Sequence, residues 1–114
     1  MHEVTIVKNF VDTTQKFAEE HGIQKVERVT LSVGALTGAV PKYIRMYYDE
    51  IAAGTRLEGS ELVIDFIEPE VFCRGCGHMY NPNETDDQCP LCQDKDFEVI
   101  RGRELTVRDI AYEH

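Results

Sequence analysis

The sequence predicts an α+β protein, a small three-stranded mixed sheet covered by two helices, with an inserted four-cysteine module. Three observations predict it. Apolar residues recur at three- and four-residue steps in two stretches, 3–21 and 41–51. Apolar and polar residues alternate in three others, 25–34, 61–70 and 97–113. Four cysteines lie between the second and the last of these. The 114 residues fit one domain carrying a small module, and 42% hydrophobic with 29% charged residues is ordinary globular usage.

The first helix rests on Val4, Val7, Val11, Thr14 and Ala18, with Ile6, Phe10 and Phe17 widening the stripe. Gly22 follows as a C-terminal stop, and His21 in the last turn suits the helix dipole. In KVERVTLSVG, Val29, Leu31 and Val33 share one face of a strand. Gly34, Gly38 and Pro41 punctuate a loop, and Pro41 opens a helix whose stripe is Ile44, Tyr47, Tyr48 and Ile51, ended by Gly54. In ELVIDFIEPE, Leu62, Ile64 and Phe66 are expected to face inward, and Pro69 stops the strand. The stretch FEVIRGRELTVRDIAYE gives one or two further strands, with a bulge where Val107 to Ile110 breaks the alternation. The last strand returns after the module, so the main domain is discontinuous: 1–69 with 100–114, against 70–99.

Charge narrows the function classes. Twelve Lys and Arg against 21 Asp and Glu leave a net charge of −9. A nucleic-acid binder needs clustered basic residues. The densest group here, Arg101, Arg103 and Arg108, is interleaved with Glu104 and Asp109 and reads as a solvated strand face. No apolar run approaches the ~18 residues that cross a bilayer. The first twenty residues carry acids throughout and do not resemble a secretory signal, so a soluble, cytoplasmic protein is expected. There is no Walker P-loop, G-x-G-x-x-G or G-x-S-x-G, and no enzyme is expected. Glu84, Asp86 and Asp87 lack EF-hand spacing and read as a loop.

Cys73, Cys76, Cys89 and Cys92 form two C-x2-C pairs separated by twelve residues. Two thiolates three residues apart bind one metal from a tight turn, and two such knuckles close a tetrahedral all-sulfur site. Gly75 and Gly77 permit positive φ in the first knuckle, and Pro90 fixes a dihedral in the second. Reduced thiols are expected without a secretory signal. Four thiolates suit structural Zn(II), with an iron redox centre as the alternative. Four thiolates and one divalent ion sum to −2, a charge that Arg74 is expected to offset in part. The intervening HMYNPNETDDQ looks too short and polar for a core of its own, so metal is expected to supply the folding energy. His78 reads as a residue flanking the knuckle, not a ligand.

The chain begins Met1-His2-Glu3. A free α-amine, the deprotonated amide of residue 2 and its imidazole form two fused chelate rings around one ion. Three nitrogens in a plane favour Ni(II) or Cu(II) and leave a fourth position through which the ion can be passed on.

Met1-His2-Glu3 opening an amphipathic helix, then LSVGALTGAVP, then the paired knuckles, resembles the HypA/HybF family of nickel metallochaperones for [NiFe]-hydrogenase. The resemblance covers essentially the full chain. It implies a nickel-binding domain with Met1, His2 and Glu3 as its site, Glu3 acting mainly through its backbone. It also implies a zinc-binding domain held by Cys73, Cys76, Cys89 and Cys92. The implied partners are a HypB-type GTPase and the immature hydrogenase large subunit; neither nucleic acid nor membrane is expected. This chain has His78 after the first knuckle but Gln93 after the second, a departure from members with His after each. A strand-exchanged homodimer is compatible with the discontinuous sheet. The residues alone also allow a zinc-ribbon adaptor with no nickel role.

Overall fold

The computed structural model describes residues 3–113. Helix α1 spans Glu3–Glu20, β1 Lys25–Gly34, α2 Pro41–Ala52, β2 Glu61–Ile67, β3 Glu70–Cys73, β4 Met79–Tyr80, β5 Phe97–Arg101 and β6 Leu105–Glu113. The strands form two three-stranded sheets, ordered β2-β1-β6 and β4-β3-β5. In the first, β1 runs parallel to β2 and antiparallel to β6, so the sheet is mixed. The parallel pair follows from the crossover through α2. The second sheet is antiparallel throughout.

Both helices pack on one face of the first sheet. Their core joins Val7, Val11 and Ala18 of α1 and Ile44 and Tyr48 of α2 to Val29, Leu31 and Val33 of β1. Phe10 and Tyr48 stack at 5.8 Å between ring centres, which locks the helices together. Burying Tyr48 strands a hydroxyl, which Ser60 satisfies. The stripe on α1 is narrower than its apolar residues predict, since Val4 and Phe17 are exposed and the Phe17 ring stacks on His21 instead. The His21 Nδ1–H donates to the Phe17 carbonyl at 2.9 Å, so this imidazole caps the helix. Gly22 turns left-handed (φ 67°), and Ile23 N closes the helix onto Ala18 O at 2.9 Å.

Phe66 departs from expectation: it is 44% exposed, whereas Leu62 is buried. Its register against Val33 gives it the helix-facing side. It is, however, the next-to-last residue of an edge strand, while α2 bonds β2 at the other end, through Arg45 Nη1 to Leu62 O. The expected bulge is present. Thr30 pairs with Asp109 and Leu31 with Val107, which leaves Arg108 unpaired in the ladder. Arg108 reaches across the central strand to Asp65 on β2.

The second sheet extends the molecule to 54 Å along its longest axis. It has a small buried cluster of its own: Val71, Cys73, Tyr80 and Cys89, flanked by Phe97 and Val99. The polar segment therefore contributes more to a core than its composition predicts. Tyr80 supplies most of that contribution, pairing with Val71 across the β3–β4 ladder. β5 continues to Arg101, which pairs with Glu70 and so lies beyond residue 99 in the same sheet.

Two crossings join the sheets, at Glu68-Pro69 and at Gly102-Arg103-Glu104, and both lie against the end of β1. Gly34 N donates to Glu104 O at 2.6 Å and Leu36 N to Gly102 O at 2.7 Å. A Cβ on Gly34 would lie 2.1 Å from Gly102 O, and one on Gly102 would lie 2.9 Å from Pro69 Cα. Only glycine fits either position.

Candidate metal centre

The two knuckles are built alike. β3 delivers Cys73, whose N–H donates to His78 O at 2.9 Å while Gly77 N returns to Cys73 O at 2.8 Å. Cys89 repeats the pattern, with its N–H on Asp94 O at 3.0 Å and Gln93 N on Cys89 O at 2.8 Å. Both turns close on a left-handed residue, Gly77 (φ 81°) and Gln93 (φ 67°). Gly75, which permits positive φ, does not use it. It lies close to the second knuckle, since a Cβ there would meet the end of the Asp94 side chain, Oδ2, at 2.7 Å and displace it. Gly75 and Asp94 thus set one knuckle against the other.

All four sulfurs lie within 4.8 Å of one another. Cys73 Sγ is 3.5 Å from Cys92 Sγ, and Cys76 Sγ is 3.6 Å from Cys89 Sγ. A tetrahedron with metal–sulfur bonds of about 2.3 Å requires sulfurs about 3.8 Å apart, so the set fits a tetrahedral ion. All four cysteines are free thiols, Cys73 and Cys89 buried, Cys76 and Cys92 exposed. Crowding splits their proton affinities. Burial alone pushes Cys89 up, but N–H groups of Cys92 and Leu91 and the neighbouring thiols outweigh it and bring it down to about 6. At Cys92 the Asp94 N–H pulls down, yet the Cys73 and other thiols and burial push it up to about 12. Four thiolates cannot share this volume without a cation, which is the electrostatic demand that a bound metal meets.

Arg74 does not offset that charge. Its guanidinium pairs with Asp96 at 3.1 Å and with Glu98 at 3.9 Å, both on the approach to and along β5. His78 is half-buried, its ring centre 6.4 Å from that of Tyr80, and it is not part of the sulfur cluster. Asp86 and Asp87 sit in a left-handed turn. Among the described residues, the cysteines are the one cluster of His, Cys, Asp and Glu fit for a metal.

Met1 and His2 lie outside the described residues. Glu3 begins α1 and is buried, and its Oε2 accepts from Val40 N at 3.2 Å. Val40 is the residue that caps α2. The Glu3 side chain therefore ties the starts of both helices together. A lone acid in a first turn does not reveal such a link.

Residues 1–112 match the family model described as "HypA: Hydrogenase/urease nickel incorporation, metallochaperone". The chain belongs to the HypA family. A hydrogenase maturation factor HypA of Chlorobium limicola is 33% identical over 113 residues, covering 99% of this chain and 97% of that protein. A HybF of Salmonella typhimurium is 33% identical over 113 residues, covering 99% and 100%. The solution structure of the nickel metallochaperone HypA from Helicobacter pylori superposes with a TM-score of 0.70 at 21% identity, covering 98% of this chain and 97% of that one, which shows a shared fold. The chain is thus a nickel-incorporation metallochaperone of hydrogenase maturation carrying a four-cysteine metal site, not an enzyme. No helix among the described residues is long and apolar enough to cross a membrane.

Tyr80 and the glycine contacts at Gly34 and Gly102 were not apparent from sequence. The one available signal was Tyr80 itself, a large aromatic in an otherwise polar stretch.

Proposed function

We propose that the protein binds one Ni(II) through the Met1 amine, the His2 amide and imidazole, and the Glu3 backbone. It then delivers the ion to the immature large subunit of a [NiFe]-hydrogenase, in the cytoplasm and alongside a HypB-type GTPase. The observation that carries this reading is the match to a nickel-incorporation family over residues 1–112, on a chain whose second residue is a histidine. The Glu3 carboxylate supports it from the structure. That side chain accepts from Val40 N, which anchors the helix behind the first residues. Anchoring lowers the ordering cost of binding.

Cys73, Cys76, Cys89 and Cys92 hold Zn(II). When bound, the ion cross-links the knuckles and supplies folding energy to the second sheet. The same cysteines leave no ligand position open, so zinc has a structural role here. The two tight crossings at the end of β1 make the second sheet a rigid arm for docking.

The decisive experiment adds one or two residues ahead of Met1 and titrates nickel against tag-free protein, with zinc measured in both. The extended chain is expected to lose high-affinity nickel while keeping one zinc, as is His2→Ala. Unchanged nickel affinity after extension would overturn the site. A protein that holds zinc and ignores nickel would return the reading to a zinc-ribbon adaptor.

A further inference from the structure

We propose that β6 is a self-pairing edge: two copies of this chain join antiparallel along it, about a two-fold axis between Arg108 and Asp109, into one six-stranded sheet. The strand lies at the end of the order β2-β1-β6, so among the described residues the outer ladder of its nine residues bonds no other strand. An open edge of that length is a template for a further strand. Two hollows of about 410 and 330 Å³ run along its inner side, between Ile6, Phe10 and Phe17 of α1 and Leu105, Val107 and Ile110 of β6. Helix α1 therefore leaves the edge strand only half covered.

The residues of the edge identify its occupant as a second copy. In the register centred between Arg108 and Asp109, Arg108 of each copy meets Asp109 of the other, Val107 meets Ile110, Thr106 meets Ala111 and Leu105 meets Tyr112. Apolar residues meet apolar residues, and each charge meets its opposite. Moving the axis onto Arg108 or onto Asp109 would set like charges face to face. In a regular strand the favoured register is forbidden, because paired residues must point to one side and residues an odd number of positions apart do not. The bulge at Arg108 removes that obstacle. Val107 pairs with Leu31 and Ile110 with Val29, so both point to the helix side. Leu105, opposite Val33, and Tyr112, opposite Val26, share that side. A bulge normally blunts an edge. Here both copies carry the same extra residue at the axis, so the two strands stay in step. The rotation also brings the second copy's α1 alongside this one, across the hollows. No strand is exchanged, since each copy keeps its own β6 on β1. Within one copy Arg108 pairs with Asp65 and lies 3.6 Å from Asp109; both pairs are exposed, so little is lost when they rearrange.

The test is sedimentation of the zinc-loaded full chain over a range of concentrations, at low and high salt. Wild type is expected to rise from the 13.0 kDa of one chain towards twice that mass. High salt should favour the rise, because it screens the −9 charge that each copy carries. Arg108→Asp and Asp109→Arg each set like charges across the axis and should weaken association by about tenfold. Mixed in equal amounts the two variants should pair again, because the two acids of one then face the two arginines of the other. Deuterium exchange of wild type needs no variant and decides the matter if either fails to fold. Amides of β6 should exchange more slowly as the protein is concentrated, while those of β2, the opposite edge, should not change. A wild type that stays at 13.0 kDa throughout would overturn the proposal. So would a dimer that either single variant leaves intact, a mixture that fails to pair, or protection that grows at β2, β4 or β5 in place of β6.

Discussion

Replacing Gly34 by alanine sets a methyl carbon 2.1 Å from Gly102 O, 2.2 Å from Gly102 C and 2.7 Å from Arg103 N. All three are backbone atoms, so no side chain can rotate away. Real Cβ atoms essentially never approach closer than 3.0 Å, which requires the crossing strand to move by at least 3.0 − 2.1 = 0.9 Å. That displacement breaks or stretches two bonds, Gly34 N to Glu104 O and Leu36 N to Gly102 O. Each is worth about 0.5–1.5 kcal/mol, and a buried group left unpaired costs more, so Gly34→Ala should cost about 2–4 kcal/mol. Gly34 itself has φ −80°, so none of that cost is conformational. For a chain of this size the melting temperature should fall by roughly 10 °C. The assay is urea and thermal unfolding of the metal-loaded protein, with zinc content measured alongside. Gly22→Ala serves as the comparison: it has a left-handed φ of 67° but no atom within 4 Å, and should lose only about 1 kcal/mol. Gly34→Ala within about 0.5 kcal/mol of wild type would refute the claim that the sheets are stitched rigidly at this point.

Gln93 holds a left-handed conformation where the first knuckle has Gly77, so Gln93→Gly should stabilise the loaded protein by up to about 1 kcal/mol and Gln93→Val should destabilise it. The reverse order in urea titrations would contradict this. Burial raises the Tyr48 phenol above its usual 10.0, outweighing the Ser60 hydrogen bond, which pulls it down. The neutral phenol is therefore the folded form. Its contribution is complete below pH 10 and disappears as pH rises through the raised value. Tyr48→Phe should cost about 1 kcal/mol at pH 7 yet flatten the alkaline loss of stability, read from unfolding curves between pH 8 and 11. Glu3→Ala should cost about 1–2 kcal/mol by stranding Val40 N, and Glu3→Gln less, because an amide oxygen still accepts. Equal losses in the two would show that the hydrogen bond is not what matters. Stripping zinc with a chelator should expose β3, β4 and β5 to hydrogen exchange while β1 stays protected, because the two sheets have separate cores. Simultaneous loss in both sheets would contradict that separation.

The elements around the site were legible because their signals are local. The stripe of Val7, Val11, Thr14 and Ala18 announces α1 within five turns, and alternation over Val29, Leu31 and Val33 announces β1. The C-x2-C pairs carry their chemistry in their spacing, and the broken alternation at Val107–Ile110 located a bulge. Phe66 shows where periodicity stops being informative. It identifies a face of β2, whereas burial depends on what lies over that face and on whether the strand is an edge. Arg74 illustrates the same limit for charge: adjacency to a ligand in sequence did not decide its partner, and acids near and on β5 did.

By itself the sequence determined the two helices, the strands of the first sheet and the two knuckles, because each is encoded within a few residues by period, turn chemistry or covalent spacing. Tertiary structure alone decided which distant groups complete them. The Glu3 carboxylate meets Val40 N across 37 residues, and Arg56 Nη1 reaches 38 residues back to the last-turn carbonyl of Ala18. Gly34 is forced to be glycine by a carbonyl on another strand, and Tyr80 is turned in among the thiols by the strand beside it. Such contacts depend on how the sheets pack and cross, and no local pattern in the chain records that geometry.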